Sequence, residues 1–121
     1  MTSHVKPERI LVCGGRKNHD KYRVEKTLNS LLPFFAARFV IIQGGAPGID
    51  SLAEDWALSR GYACITMNAP WRKHPAAAGP IRNGWMLDWC TPQLVVAFPG
   101  GSGTEHMKRI AREAGIPVYE G

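Results

Sequence analysis

Short apolar runs, each stopped by glycine or proline, alternate along this chain with segments whose apolar residues recur every three or four positions. Arg9-Ile-Leu-Val-Cys13 ends at Gly14-Gly15 and reads as a strand followed by a turn. From about Tyr22 to Phe35, Val24, Leu28, Leu31 and Leu32 fall at helical spacing, and Pro33 marks the last turn or a break. Arg38-Phe-Val-Ile-Ile-Gln43 is a second strand, stopped by Gly44-Gly45. Ile49, Leu52, Ala53, Trp56 and Ala57 then form one face of a helix that Gly61 is placed to end. Tyr62 to Met67 predicts a third strand. Residues 68–80, NAPWRKHPAAAGP, carry three prolines and no sustained period, which predicts a loop with one short helical turn. A helix from about Ile81 to Trp89, a strand from Gln93 to Phe98, a helix from about Glu105 to Ala114 and a last strand, Ile116 to Tyr119, complete the pattern.

Strands alternating with helices predict an α/β fold, a Rossmann-like, doubly wound parallel sheet of about five strands. The unbroken apolar character of VVAF and FVII suits strands covered on both faces. In strand order 3-2-1-4-5, the loops after strands one, two and four gather at one edge, where such sheets take their ligands. Those three loops are the glycine-rich ones, at 14–15, 44–48 and 100–103.

The composition narrows the partners. A chain of 121 residues is one domain in length, taken here as residues 1–121, and 45% hydrophobic residues suffice for a core. No stretch approaches twenty apolar residues, and MTSHVKPER lacks the apolar run of a signal peptide, which predicts a cytoplasmic protein without a membrane partner. Cys13, Cys64 and Cys90 are odd in number and far apart. With four histidines at no ligand spacing, they predict neither disulfides nor a metal site. Cys13 and Cys64 sit in apolar runs as small hydrophobes. The net charge of +5 favours anionic partners, yet its clusters, Arg72-Lys73-His74 and Lys108-Arg109 with Arg112, are short.

Candidate chemistry concentrates in the loops. In GGSGTEH, Gly100, Gly101 and Gly103 permit close backbone approach, and the helix behind them directs free N–H groups and partial positive charge at the loop. A phosphate suits that geometry. Neither a Walker A loop nor the Gly-x-Gly-x-x-Gly fingerprint is present, and tight structural turns would account for the glycines equally. Thr104 serves a phosphate oxygen or a loop amide. Asp50, in Gly44-Gly-Ala-Pro-Gly-Ile-Asp50, caps the following helix or accepts from a ribose or base. Ser102-Gly-Thr-Glu105 matches a capping box, which competes with an acid–base role for Glu105. Arg82 and Asn83 open the helix after the irregular loop, and Arg16 follows the first glycine pair; both arginines are placed for an anion. Trp71 is free to stack on a base, whereas Trp85 and Trp89 share a helical face and read as core.

CGGR at 13–16, GGAPGIDSLAEDWA at 44–57, APW at 69–71, AGPIRNGWM at 78–86 and VVAFPGGSGTEHM at 95–107 together resemble the SLOG superfamily, most closely its small YspA/YpsA-related branch. The resemblance implies a Rossmann-like fold that binds nucleotides or nucleotide-derived ligands, commonly as a homodimer. Two relatives extend it differently. Lonely Guy phosphoribohydrolases cleave the N-glycosidic bond of a nucleoside monophosphate with an arginine and the glutamate of Pro-Gly-Gly-x-Gly-Thr-x-x-Glu. Arg82 matches the arginine, but the glutamate position is Met107. Glu105 lies about 200° away around a helix, so hydrolysis would need another acid, such as Asp50. DNA-processing protein A, whose glycine-rich segment leading into Gly-Ile-Asp resembles residues 44–50, binds single-stranded DNA. This chain has no run of aromatics for base stacking.

The sequence therefore predicts a sensor or carrier of a nucleotide or other phosphorylated small molecule, with no further cofactor. Phosphate would rest over Gly100, Gly101, Ser102, Gly103 and Thr104, beside Arg82, Asn83 and Arg16. Gly14 and Gly15 complete that edge, Gly44, Gly45 and Asp50 wall the sugar, and Trp71 covers the base. Metal-independent hydrolysis by Arg82, Glu105 and Asp50 is the enzymatic alternative, and single-stranded nucleic-acid binding the third.

Overall fold

The computed structural model describes residues 7–121; His4 and most of the leading segment lie outside them. The chain runs β1 (Glu8–Cys13), α1 (Lys21–Leu31), a 3-10 turn (Leu32–Phe34), β2 (Phe39–Gln43), α2 (Ile49–Ser59), β3 (Ala63–Thr66), α3 (Ala78–Cys90), β4 (Leu94–Ala97), α4 (Ser102–Glu113) and β5 (Val118–Glu120). The strands form one sheet in the order β3-β2-β1-β4-β5, every neighbouring pair parallel. Strand β1 is central. Ile10 pairs with Ile41 on one side and Leu94 on the other, and Leu11 with Ile42 and Val95.

Alternation along the strands divides the core into two layers. Ile10 and Val12 of β1, Ile41 of β2 and Val96 of β4 meet Val24 and Leu28 of α1 and Ala53 and Trp56 of α2. Leu11 and Cys13, Ile42, and Val95 and Ala97 point the other way, against Met86 of α3 and Met107 and Ala111 of α4. Helices therefore cover both faces, two on each, and the fold is doubly wound. The strand order reverses between β1 and β4, and their carboxyl ends open at that switch point.

Helix starts depart most from the periodic pattern. Helix α3 begins at Ala78, three residues before Ile81, because Pro80 falls in its first turn, where a missing N–H breaks no intrahelical bond. Helix α4 begins at Ser102, not Glu105, and so takes in Gly103 and Thr104. Its cap is Gly101, which has no side chain, and the expected Ser102–Glu105 capping box does not form: the Glu105 carboxylate meets the Lys108 ammonium at 2.7 Å instead. The two tryptophans of α3 are a second correction. Trp89 is 66% exposed, and its ring stacks on that of the half-buried Trp85, centroids 4.9 Å apart, outside the core.

Candidate functional site

The three glycine loops meet at the switch point and brace one another. The Gly15 N–H donates to the Pro99 carbonyl at 3.0 Å, and the Ile49 N–H donates to the Gly15 carbonyl at 3.2 Å. Asn18 adds a bond from Nδ2 to the Pro99 carbonyl, 3.1 Å. Gly48 has φ 79°, and a side chain there would run into the carbonyls of Gly15 and Arg16. A Cβ on Gly100 would collide with the Thr104 hydroxyl and the Gly15 amide, and one on Gly14 with Ile49. Much of the glycine signal therefore reports packing of loop on loop. Gly101 and Gly103 differ, for a Cβ on either would meet nothing within 4 Å.

Between these loops lies a cleft of about 570 Å³, a volume common among small-ligand sites. Its floor is Val12 and Cys13 at the end of β1, with Met86 of α3. Gly14, Gly15 and Arg16 form one side, Asp50 and Arg82 with Asn83 another, and Gly100, Gly101, Gly103 and Thr104 a third. Ten of the site residues singled out in the sequence thus share one cavity. Pro99, Ala46, Lys17 and Asn18 also line it. The signal for Lys17 and Asn18 was their place two and three residues beyond Gly15, on a loop already marked by its glycines.

Arg82 ties two of the loops together. Its Nη1 donates to the Gly44 carbonyl at 2.7 Å and its Nε to Asn83 Oδ1 at 3.2 Å. The guanidinium occupies the space that a side chain on Gly44 would need. Burial lowers the Arg82 pKa, and neighbouring Asp50 acts against that shift. Asp50 itself is buried, and its Oδ2 accepts from the N–H groups of Gly44 and Ala46, both at 3.2 Å. Its fixed task is thus to fasten the second glycine loop. Its other oxygen takes no hydrogen bond from the described residues and is not sealed from solvent. Burial raises the Asp50 pKa, against the opposing pull of the Ala46 amide, Arg82 and the Gly44 amide. Burial, reinforced by Asp50, also pushes the Cys13 thiol up to about 12, so it stays protonated at the cleft floor.

The electrostatics favour an anion. Arg16, Lys17 and Arg82 line the cleft against one carboxylate, Asp50. The first N–H groups of α4 have no intrahelical acceptors, and no side chain caps them. Beside that turn the side chains of Thr104 and Asn83 are buried.

The remaining expected residues fall elsewhere. Gly44 stands behind Arg82, outside the cleft lining, and Gly45, with φ 74°, backs onto Thr66 and Asn68 in an adjoining depression. Ser102 turns to the outer face of α4. Trp71 does not line the cleft; it is half exposed and packs against Arg16, whose guanidinium carbon is 5.6 Å from the ring centroid. Glu105 is outside the cleft, held by Lys108, because the first turn of α4 carries it to the opposite side from Met107. Met107 is 1% exposed and packed in the core, so that position offers the cleft no acid. Among the described residues no three His, Cys, Asp or Glu side chains cluster as a metal site, and no helix is long and apolar enough to cross a membrane.

A doubly wound parallel sheet with glycine loops around a cleft at its switch point defines a Rossmann-like protein, a class suited to nucleotide-related ligands. Residues 8–74 match the model of the YspA, cpYpsA-related SLOG family, and the chain belongs to that family. It is also similar to the Gene 61 protein of Mycobacterium phage D29, 33% identical over 117 residues that cover 91% of this chain and 93% of the relative. The matched segment contains the first two glycine loops and Trp71. Arg82 and the α4 loop lie beyond it.

Proposed function

We propose that the cleft binds a nucleotide or nucleotide derivative through its phosphate, as a sensor or carrier. The observation that carries this reading is the uncapped first turn of α4, opening through Gly101 and Gly103 into a cavity that Arg16, Lys17 and Arg82 make positive. Phosphate oxygens accept from the Gly101–Thr104 segment, and Arg82 and Arg16 supply opposite charge. The sugar lies toward Asp50, whose free oxygen accepts a hydroxyl. Trp71, on the Arg16 side, reaches a base projecting from the cleft mouth.

One observation favours cleavage as a second reading. Asp50 is the one carboxylate among the lining residues, it neighbours Arg82, and burial raises its pKa, while a carboxyl in reach of substrate is the group that proton transfer needs. Water would then attack C1′ of the ribose as the N-glycosidic bond breaks, Asp50 taking the water's proton and passing it to the departing base, with Arg82 holding the substrate. The nucleic-acid reading has less support. Lys108, Arg109 and Arg112 on α4 are matched by Glu105, Glu113 and Glu120. The stacked Trp85–Trp89 pair is the surface we assign to a homodimer contact.

Ligand-observed proton NMR with nucleoside monophosphates, cyclic nucleotides, NAD and ADP-ribose, followed for hours, tests the proposal. We expect saturable binding, lost in Arg82→Ala, with the ligand intact. Free base or ribose phosphate accumulating with time establishes cleavage instead. No binding by any member of the panel overturns both readings.

A further inference from the structure

His106 belongs to no part of the proposed chemistry, yet it ends a chain of hydrogen bonds that begins in the cleft. Arg82 Nε donates to Asn83 Oδ1 at 3.2 Å. Asn83 Nδ2 lies 3.1 Å from the Gly103 carbonyl and 3.0 Å from His106 Nδ1. Asn83 is 3% exposed and has little freedom to choose other partners.

The chemistry of the end groups fixes every orientation between them. A guanidinium only donates, and a carbonyl only accepts. Asn83 must therefore turn its oxygen to Arg82 and its NH2 to Gly103. His106 Nδ1 meets that same NH2, so it must accept, which requires the neutral ring with its proton on Nε2. A proton on Nδ1 would set donor against donor. Flipping the amide offers no escape, because its NH2 would then face Arg82 and its oxygen the Gly103 carbonyl.

We infer that His106 is a positioning residue: in its neutral form it locks Asn83, and through Asn83 it holds the Arg82 guanidinium and the first turn of α4 on opposite walls of the cleft, so that protonation loosens the grip on an anion. The local charges agree with a neutral ring at ordinary pH. Burial lowers the His106 pKa, Arg109 lowers it further, and Glu113 opposes them. Helix α3, packed against this face, brings the uncharged Asn83, while Glu120 of β5 is engaged by Lys108 and Arg112. The effect on ligand rests on the phosphate reading above; the link from His106 to Arg82 does not.

The test keeps the two apart. In 15N–1H NMR between pH 7.5 and 5.0, without ligand, the Arg82 Nε–H and Gly103 amide signals should move with the His106 titration. In His106→Gln, whose side-chain oxygen accepts at every pH, the Gly103 amide should stay still and Arg82 Nε–H should keep only the movement set by neighbouring Asp50, whose pKa burial raises. In His106→Phe the Gly103 amide should sit at the acid position throughout. Sulfate, whose charge is constant over this range, should bind roughly fivefold more weakly at the acid end, the effect of losing about one hydrogen bond. That loss should be absent in His106→Gln. Signals indifferent to the His106 titration overturn the link, and equal sulfate affinity at both ends overturns its effect on the cleft. Arg82 titrating with His106 while sulfate shifts nothing at any pH sustains the link and removes the anion site.

Discussion

Gly100 and Gly103 stand three residues apart and answer to different neighbours. Gly100 lies where the first and third loops touch, and a methyl there meets the Gly15 amide and Thr104. Gly100→Ala should therefore destabilise the protein by about 1–3 kcal/mol in urea unfolding. Gly103 faces open space from within a helix, so Gly103→Ala should stabilise by up to about 1 kcal/mol while weakening ligand binding. Stability and binding moving in opposite directions would separate a ligand role from a packing role. At Asp50 one oxygen serves two main-chain donors. Asp50→Ala should cost about 1–3 kcal/mol, because the Gly44 and Ala46 amides lose their acceptor, whereas Asp50→Asn should retain most of the stability. His106 gives stability a pH dependence of known sign. Its folded pKa lies below its unfolded value of about 6.5. The contribution is thus complete above that value and fades as pH falls through the folded pKa. Chemical unfolding of wild type and His106→Gln at pH 7.5 and 5.0 should show a smaller acid loss in the variant.

The elements were legible where one physical signal dominated. Apolar runs located all five strands, and those of β1, β2 and β4 are continuous because strands covered on both faces need unbroken apolar sequence. The starts of α3 and α4 were missed, since Pro80 and Gly103 read as breakers although the first turn of a helix tolerates both. The capping box at Ser102 failed for a local reason: the helix caps one residue earlier, at Gly101, and Lys108, one turn on in the same helix, offers Glu105 a cation. Sequence periodicity also put Trp85 and Trp89 on one helical face correctly. It could not tell that Met86 and Asn83, on the adjacent face, are the residues turned inward. Most of the cleft was foreseen from the convergence of loops, whereas the route from Arg82 through Asn83 to His106 depends on side-chain contact between α3 and α4, which spacing along the chain does not encode.

At the scale of the whole molecule, the parallel sheet brings three loops, distant in sequence, to one edge and leaves a positively lined opening between them. The exposed tryptophan pair on α3 belongs to this scale as well. If it is a dimer contact, Trp89→Ser should shift the protein to monomer in sedimentation velocity, and an unchanged sedimentation profile would exclude that surface. The central claim is that phosphate rests against the first turn of α4, and an amide-resolved 15N–1H titration with an equimolar mixture of the four ribonucleoside 5′-monophosphates tests it most directly. We expect saturable shifts centred on Gly101, Gly103 and Gly15, abolished by Arg82→Ala. Shifts confined to Arg72, Lys73 and the outer face of α4, appearing only with single-stranded oligonucleotides and lost steeply with salt, would contradict it.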